Sequence, residues 1–327
     1  MLLFELSILL LCIVVGARCG GIALGTVSGM GLLLFVLVLG MPPGNPPAVV
    51  LGMILAVITA LSMMEAAGGL TYLVETAEKL LRRNPARITF LAPLVTYALI
   101  FAAGTQHVIY SLLPVIAEVS RKAGVRPERP MSMSVIAAQH GLVASPVSAA
   151  TVALIAGLAG LQVSLIDIMM ITIPATLLGV FAGIVSVLRR GASLSEDPVY
   201  QERLATGSVT PPEQQAPLEG VTRRRAIGSC AVFLGAVGLV VLLGLFPGLR
   251  PTYQLGLGAD AVNAQANMSQ LIMIIMLAAG GIVTLAFKAS PARAISGKLM
   301  SGGLVAIISI LGVSWLGLSL IHISEPT

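Results

Sequence analysis

Two short stretches carry residue types that could do chemistry inside an otherwise apolar chain. They are Gly104-Thr105-Gln106-His107, and Gln139-His140 followed by Ala144-Ser145-Pro146-Val147-Ser148. Each puts helix-ending and polar residues where a membrane helix would run unbroken. Lipid offers no hydrogen bonds to a broken backbone, so such breaks persist only where protein buries them or where they line a cavity. The chemistry they suit is anion recognition. Thr105 is placed as the N-cap of the helix that follows it, and Ser145 as an N-cap with Pro146 at N1. Each break then presents free N–H groups and the positive end of a helix dipole, which hold anions without a charged side chain. None of the 19 Lys and Arg lies deep within an apolar span, so an anion at mid-membrane depth must be held this way.

The side chains add donors. Thr105, Gln106, Gln139, Ser145, Ser148 and Thr151 can hydrogen-bond carboxylate oxygens. His107 and His140 can donate or titrate near neutral pH, against the blander role of packing histidines. The candidate substrate-binding set is Gly104, Thr105, Gln106, His107, Gln139, Ala144, Ser145, Pro146 and Ser148. Two helix starts at one depth suit a ligand with two negative ends.

Helix lengths say how these residues are positioned. As helices, 88–103 would rise ~24 Å and 106–120 would return ~22 Å, and neither clears a hydrocarbon core of ~30 Å. The pair reads as a re-entrant hairpin with Gly104-Thr105 near its tip. Residues 131–145 rise ~22 Å before the Ser145-Pro146 break, which places both breaks at similar depth.

The chain has 327 residues, 57% hydrophobic and only 10% charged. A soluble domain would be roughly 25% charged, so this is a polytopic membrane protein. Apolar segments fall at 2–15, 22–40, 48–64, 88–103, 108–120, 131–160, 167–188, 226–246, 268–287 and 299–317. With the N-terminus outside, all Lys and Arg except Arg250 fall on the cytoplasmic side. The net charge of +5 therefore sets topology and does not point to nucleic acid.

The acidic start Met1-Leu2-Leu3-Phe4-Glu5, with no small-residue cleavage site after it, reads as a retained first span. Segment 70–87 is amphipathic, and Glu65 before it is interfacial. Gly21, Gly25 and Gly29 form a small-xxx-small helix-packing pattern. Residues 189–225 read as a flexible cytoplasmic linker, and 247–267 as an outer loop or interfacial helix. Cys12, Cys19 and Cys230 fit neither a disulfide framework nor a metal site and read as packing residues.

Nucleophile, zinc and nucleotide-binding signatures are absent, which argues against an enzyme. The stretch 318–327 resembles the translation of a sequencing-library adapter and is set aside. His322 and Glu325 are then given no role.

Several motifs occur in order: Gly16-Ala17-Arg18 with Gly20-Gly21-Ile22, then Glu78-Lys79-Leu80-Leu81-Arg82-Arg83-Asn84-Pro85, Gly104-Thr105, Leu113-Pro114, Arg129-Pro130, Ala138-Gln139 and Ala144-Ser145-Pro146. Ser195-Glu196-Asp197-Pro198-Val199-Tyr200 and Ile310-Leu311-Gly312-Val313-Ser314-Trp315-Leu316-Gly317 follow. In these the chain resembles the Dcu family of anaerobic C4-dicarboxylate transporters.

The resemblance implies a multi-pass protein of the bacterial inner membrane with a periplasmic N-terminus. It implies a secondary antiporter exchanging fumarate, malate or aspartate for succinate, with no cofactor and with coupling to protons or sodium. The implied fold is all-α and inverted-repeat ion-transporter-like, with about eight spanning helices plus a re-entrant hairpin. A first membrane repeat would occupy 1–188 and the start of a second 226–317, the second truncated before its own hairpin. Roles for Gln106, His107 and His140 are not carried over from the resemblance. The lipid bilayer is the constant partner; a homo-oligomer and a sensor-kinase partner are compatible with it. The alternatives are a cation-coupled importer or channel for another small organic anion, and a non-transporting membrane partner of a sensor.

Overall fold

The computed structural model describes residues 2–158, 161, 163–191, 194, 196–206, 222–255 and 262–321. His322 and Glu325 lie outside the described residues, as does Ser195.

Helices dominate the chain. α1 (Leu2–Cys19) turns through Gly20 and Gly21, at φ 74° and 56°, into α2 (Ala23–Leu33), which runs on as a π-helical turn. Next come α3 (Ala48–Ala66) and α4 (Gly69–Arg83). Then come α5 (Ile88–Ala103), α6 (Ile109–Lys122), α7 (Glu128–Ala144) and α8 (Ala149–Gly157). The second half holds α9 (Leu165–Val187), α10 (Pro198–Ala205), α11 (Arg223–Leu245), α12 (Met268–Phe287), α13 (Pro291–Ser296) and α14 (Lys298–Ile321). Among the described residues, seven helical stretches are long and apolar enough to cross a membrane.

α3 is the axis of the packing. Met53, Ile54, Val57, Leu61 and Met64 are buried in one core with residues of α5, α6, α11 and α12. Residues such as Leu11, Ile171, Leu178 and Leu285 face outward, as side chains bathed in lipid do.

Glycines set two close helix crossings. A methyl group on Gly141 of α7 would lie 2.7 Å from the Tyr97 carbonyl oxygen of α5. One on Gly25 of α2 would overlap the Ile308 carbonyl of α14, and one on Gly312 would overlap that of Gly25. Only the middle member of the Gly21, Gly25, Gly29 pattern makes such a contact. Gly21 serves the α1–α2 turn, and nothing lies within 4 Å of a methyl at Gly29.

Ion pairs gather the ends of several helices at one side. Arg82, just before α5, donates to both carboxylate oxygens of Glu118 near the end of α6, at 3.2 and 2.7 Å. The start of α5 and the end of α6 therefore lie together, which makes α5–α6 a hairpin. Glu78 and Lys122 complete the cluster at 2.7 and 2.6 Å. The Arg82 guanidinium, then Lys122, hold the Glu118 carboxyl down at about 2, and Arg82 is itself raised by Glu118 and then Glu78. At the foot of α7, Arg126 pairs with Asp197 at 3.0 Å. Arg129 donates to the Arg190 and Gly191 carbonyls at 2.6 and 2.7 Å.

Several local features add to the sequence reading or depart from it. Part of 189–225 is ordered: Asp197 caps α10 by accepting from the Val199 and Tyr200 N–H groups while it pairs with Arg126. The described parts of the outer segment 247–267, expected as a loop or interfacial helix, include strands. These are the antiparallel β1 (Thr252–Leu255) and β2 (Val262–Gln265). Cys19 is exposed, whereas Cys12 and Cys230 are buried. Leu318–Ile321, in the stretch set aside on sequence, continue α14. Buried Ser319 accepts from the Gly44 N–H at 2.9 Å, and Trp315 Nε1 donates to the Gly44 carbonyl at 2.5 Å.

Candidate functional site

α5 ends at Gly104, which adopts φ +66° and donates its N–H to the Ile100 carbonyl at 2.8 Å. That left-handed turn is a common helix stop, and glycine takes it without steric cost. It aims Thr105 and a 3-10 turn, Gln106–Val108, across the hairpin tip. α6 proper begins at Ile109 with Val108 at its N-cap and no side-chain cap. Thr105 thus precedes a 3-10 turn and does not directly cap an α-helix.

α7 ends at Ala144, with Ser145 extended at ψ 130°. The expected Ser145 N-cap with Pro146 at N1 is not formed. Ser145 Oγ accepts from the Val147 N–H at 3.4 Å, and the cap is Ser148, whose Oγ accepts from the Thr151 N–H at 3.2 Å. Thr151 donates onward to the Val143 carbonyl at 3.2 Å. Ser148 and Thr151 thereby bond within the break itself. The N–H groups of Ala149 and Ala150, in the first turn of α8, have no helical carbonyl to bond.

The two breaks meet. Gly104 sits against Val147, and both open on a cavity of about 250 Å³. Gly104, Thr105 and Gln106 line it from one side, and Leu142, Val147, Ala149 and Ala150 from the other. α3 supplies Ile54, Val57, Ile58 and Leu61, and α14 supplies Leu299, Gly302, Gly303 and Ala306. Among the described residues none that lines it is charged, and Thr105 and Gln106 are the lining residues with polar side chains. Gln106 Oε1 is buried with no protein partner.

Of the candidate set, Gly104, Thr105 and Gln106 line the cavity. Ala144, Ser145, Pro146 and Ser148 are buried beneath its wall and shape it. Gln139 is exposed on α7 and does not line it. His140 turns to α9: its Nδ1 lies 2.9 Å from the Ile136 carbonyl and its Nε2 faces Gly179. The His107 side chain lies outside the described residues. The α3 and α14 walls escape sequence reasoning because their residues carry no polar signal.

Breaks that join across a small uncharged cavity between apolar helices are the build of a membrane carrier site. The family model described as "Anaerobic c4-dicarboxylate membrane transporter" matches residues 1–326. The chain belongs to that family. This member of the anaerobic C4-dicarboxylate transporter family is similar to curated relatives along nearly its whole length. It is 37% identical over 337 residues to the "Anaerobic C4-dicarboxylate transporter DcuB" of Escherichia coli O6:H1, covering 98% of this chain and 72% of that one. It is 40% identical over 319 residues to the "C4-dicarboxylate transporter DcuA" of Escherichia coli K12, covering 97% and 71%. The DcuA of Wolinella succinogenes is 38% identical over 317 residues, again 97% and 71%. No solved structure matches. The family member is accordingly an all-α, multi-pass membrane protein, as its helices require.

Proposed function

We propose that this chain is a secondary exchanger of C4-dicarboxylates across the bacterial inner membrane. The dicarboxylate occupies the cavity between the two breaks. The observation that carries the reading is the contact of Gly104 with Val147, which brings both breaks to one cavity. One carboxylate sits at the start of α8, on the Ala149 and Ala150 N–H groups, where the helix dipole favours negative charge. The other faces Thr105 and the 3-10 turn after it. At about 250 Å³ the cavity falls below the ~300–1,000 Å³ of sites for drug-sized ligands and suits a small acid.

The end that carries the Arg82–Glu118 and Arg126–Asp197 pairs faces the cytoplasm, by the positive-inside rule. The N-terminus is then periplasmic.

The test is counterflow in proteoliposomes. Succinate loaded inside accelerates entry of labelled fumarate, and the acceleration saturates. Absence of stimulation by internal succinate overturns the exchange reading, and unsaturable entry points to a channel. Imposed proton or sodium gradients, applied without internal substrate, report the coupling ion of any net uptake.

A further inference from the structure

Midway along α9 and α12 the outward side chains are hydrocarbon, such as Ile171, Leu178, Leu277 and Ile282. Midway along α7 stands Gln139, exposed. The helix rises ~16 Å from Glu128 to Gln139, about half of a hydrocarbon core of ~30 Å. Among the described residues no group hydrogen-bonds its amide. Lipid offers no hydrogen bonds, so an outward amide at this depth calls for another polypeptide.

Gln139 belongs to a seam. Ser132, Ile136, Gln139 and Val143 are all exposed and recur at intervals of four, three and four. That is the repeat by which one helix packs along another. The opposite face of α7 is occupied: Met133, Ala137 and Ala144 pack with Tyr97 of α5 and with Val180 and Ile184 of α9. His140 turns from the seam to α9, its Nε2 facing Gly179.

The chemistry of the seam limits what covers it. Copies of one membrane protein enter the bilayer in one orientation, so a twofold axis relating two of them runs along the membrane normal. A residue near that axis meets its own counterpart at its own depth. Two carboxylates or two ammonium groups repel there. A primary amide carries an acceptor oxygen and two N–H donors, so it can exchange two hydrogen bonds with an identical amide. Gln139 has that property, and the β-branched Ile136 and Val143 on either side suit a two-helix seam.

We propose that α7 is the seam of a homodimer, with Gln139 of one protomer bonded to the same residue of its partner across a twofold axis along the membrane normal. A lone polar residue in such a seam fixes register and the number of helices. None of the four seam residues lines the cavity, so the proposal stands whatever the cavity binds.

Two measurements on the full chain test it. Gln139→Cys is oxidised in membranes with copper phenanthroline at increasing lipid-to-protein ratio. A disulfide-linked dimer forms and persists on dilution. Leu178→Cys, whose thiol faces lipid from α9, and the wild type with Cys12, Cys19 and Cys230 lose any cross-link on dilution. The second measurement counts photobleaching steps of labelled protein in dilute bilayers. Wild type bleaches in two steps, and Gln139→Leu lowers the association constant roughly threefold to thirtyfold. Gln139→Asn, which keeps a self-pairing amide, falls between the two. Cross-linking at Gln139→Cys no greater than at Leu178→Cys overturns the proposal. Wild type that is monomeric at every dilution also overturns it, and Gln139 then meets lipid or a different membrane chain. Equal association of wild type and Gln139→Leu overturns it too, since the copies then meet through another face. The step counts need no cysteine in the seam and decide the matter if Gln139→Cys does not reach the membrane.

Discussion

Gly104 and Val147 touch across the two helix breaks. A methyl group on Gly104 would stand 2.8 Å from Val147 Cγ2 and 3.0 Å from its carbonyl oxygen, and Gly104 is at φ +66°. Gly104→Ala therefore meets two obstacles. The left-handed backbone costs roughly 1–2 kcal/mol for a non-glycine residue, and the new methyl pushes the breaks apart. Transport falls at least tenfold while protein remains in the membrane. Val147→Ala in the same chain relieves the side-chain clash but neither the carbonyl contact nor the backbone strain, so rescue is partial. Uptake rates normalised to membrane protein level check both outcomes.

The start of α8 can be tested one atom at a time. Ala149→Pro deletes a single N–H at the first helical position, where proline is favoured. KM for dicarboxylates rises about threefold to tenfold, the loss of one hydrogen bond to a charged group, while the melting temperature holds. Ser148→Asp keeps a good cap but adds a negative charge beside the same N–H groups. Transport is then lost, and because Ser148 is fully buried the unpaired carboxylate also lowers the melting temperature by more than Ser148→Ala, which costs ~1 kcal/mol.

The capping register shows where the sequence stops being legible. That the chain breaks here follows from local chemistry: Gly104 stops a helix and Pro146 cannot continue one. Which serine caps the restart is not local. Ser145 and Ser148 are both good caps, and proline's preference for N1 points to Ser145. The fold selects Ser148 because the turn at 145–148 carries Val147 to Gly104. The apolar walls from α3 and α14 lie far from the breaks in sequence and carry no polar mark. The β1–β2 hairpin is equally hidden, since no tight-turn dipeptide announces it. The helices themselves, the hairpin at 88–120 and the charged end are legible because they depend on apolar length and on the distribution of Lys and Arg.

The crossing of α2 and α14 separates two glycines that look alike in sequence. Gly25→Ala drives a methyl into the Ile308 carbonyl, and Gly312→Ala drives one into that of Gly25. Each destabilises the protein by about 1–3 kcal/mol, as overpacking does. Gly29→Ala meets nothing within 4 Å and is tolerated, with a small gain in helix propensity. Thermal melts in detergent distinguish the three variants.

Acid should loosen the charged end in a defined window. Glu118 is held at about 2, against an ordinary 4.5, by Arg82 and then Lys122. Its folded-state value is depressed, so its support for the fold is fully present above about pH 4.5 and is lost as pH falls towards 2. Arg82 stays charged throughout. The pair is partly exposed, so its contribution is ~0.5–1 kcal/mol and weakens in high salt. Glu118→Gln lowers the melting temperature at pH 7, and the gap to wild type narrows as pH falls through 3. A gap that does not change with pH would show that the carboxylate's charge is not what holds α6 to α4.

The ion pairs also have a mechanical consequence. Arg82–Glu118 fastens the base of the hairpin, and Arg126 and Arg129 fasten the base of α7 to the chain beyond α9. At their far ends α5 and α7 meet through Gly104 and Val147, a contact between one glycine and one aliphatic side chain. The hairpin and α7 are therefore clamped together at their roots and packed along their length, where Gly141 lies against the Tyr97 carbonyl. Fixed at the root and packed along the shaft, the two breaks can shift only together.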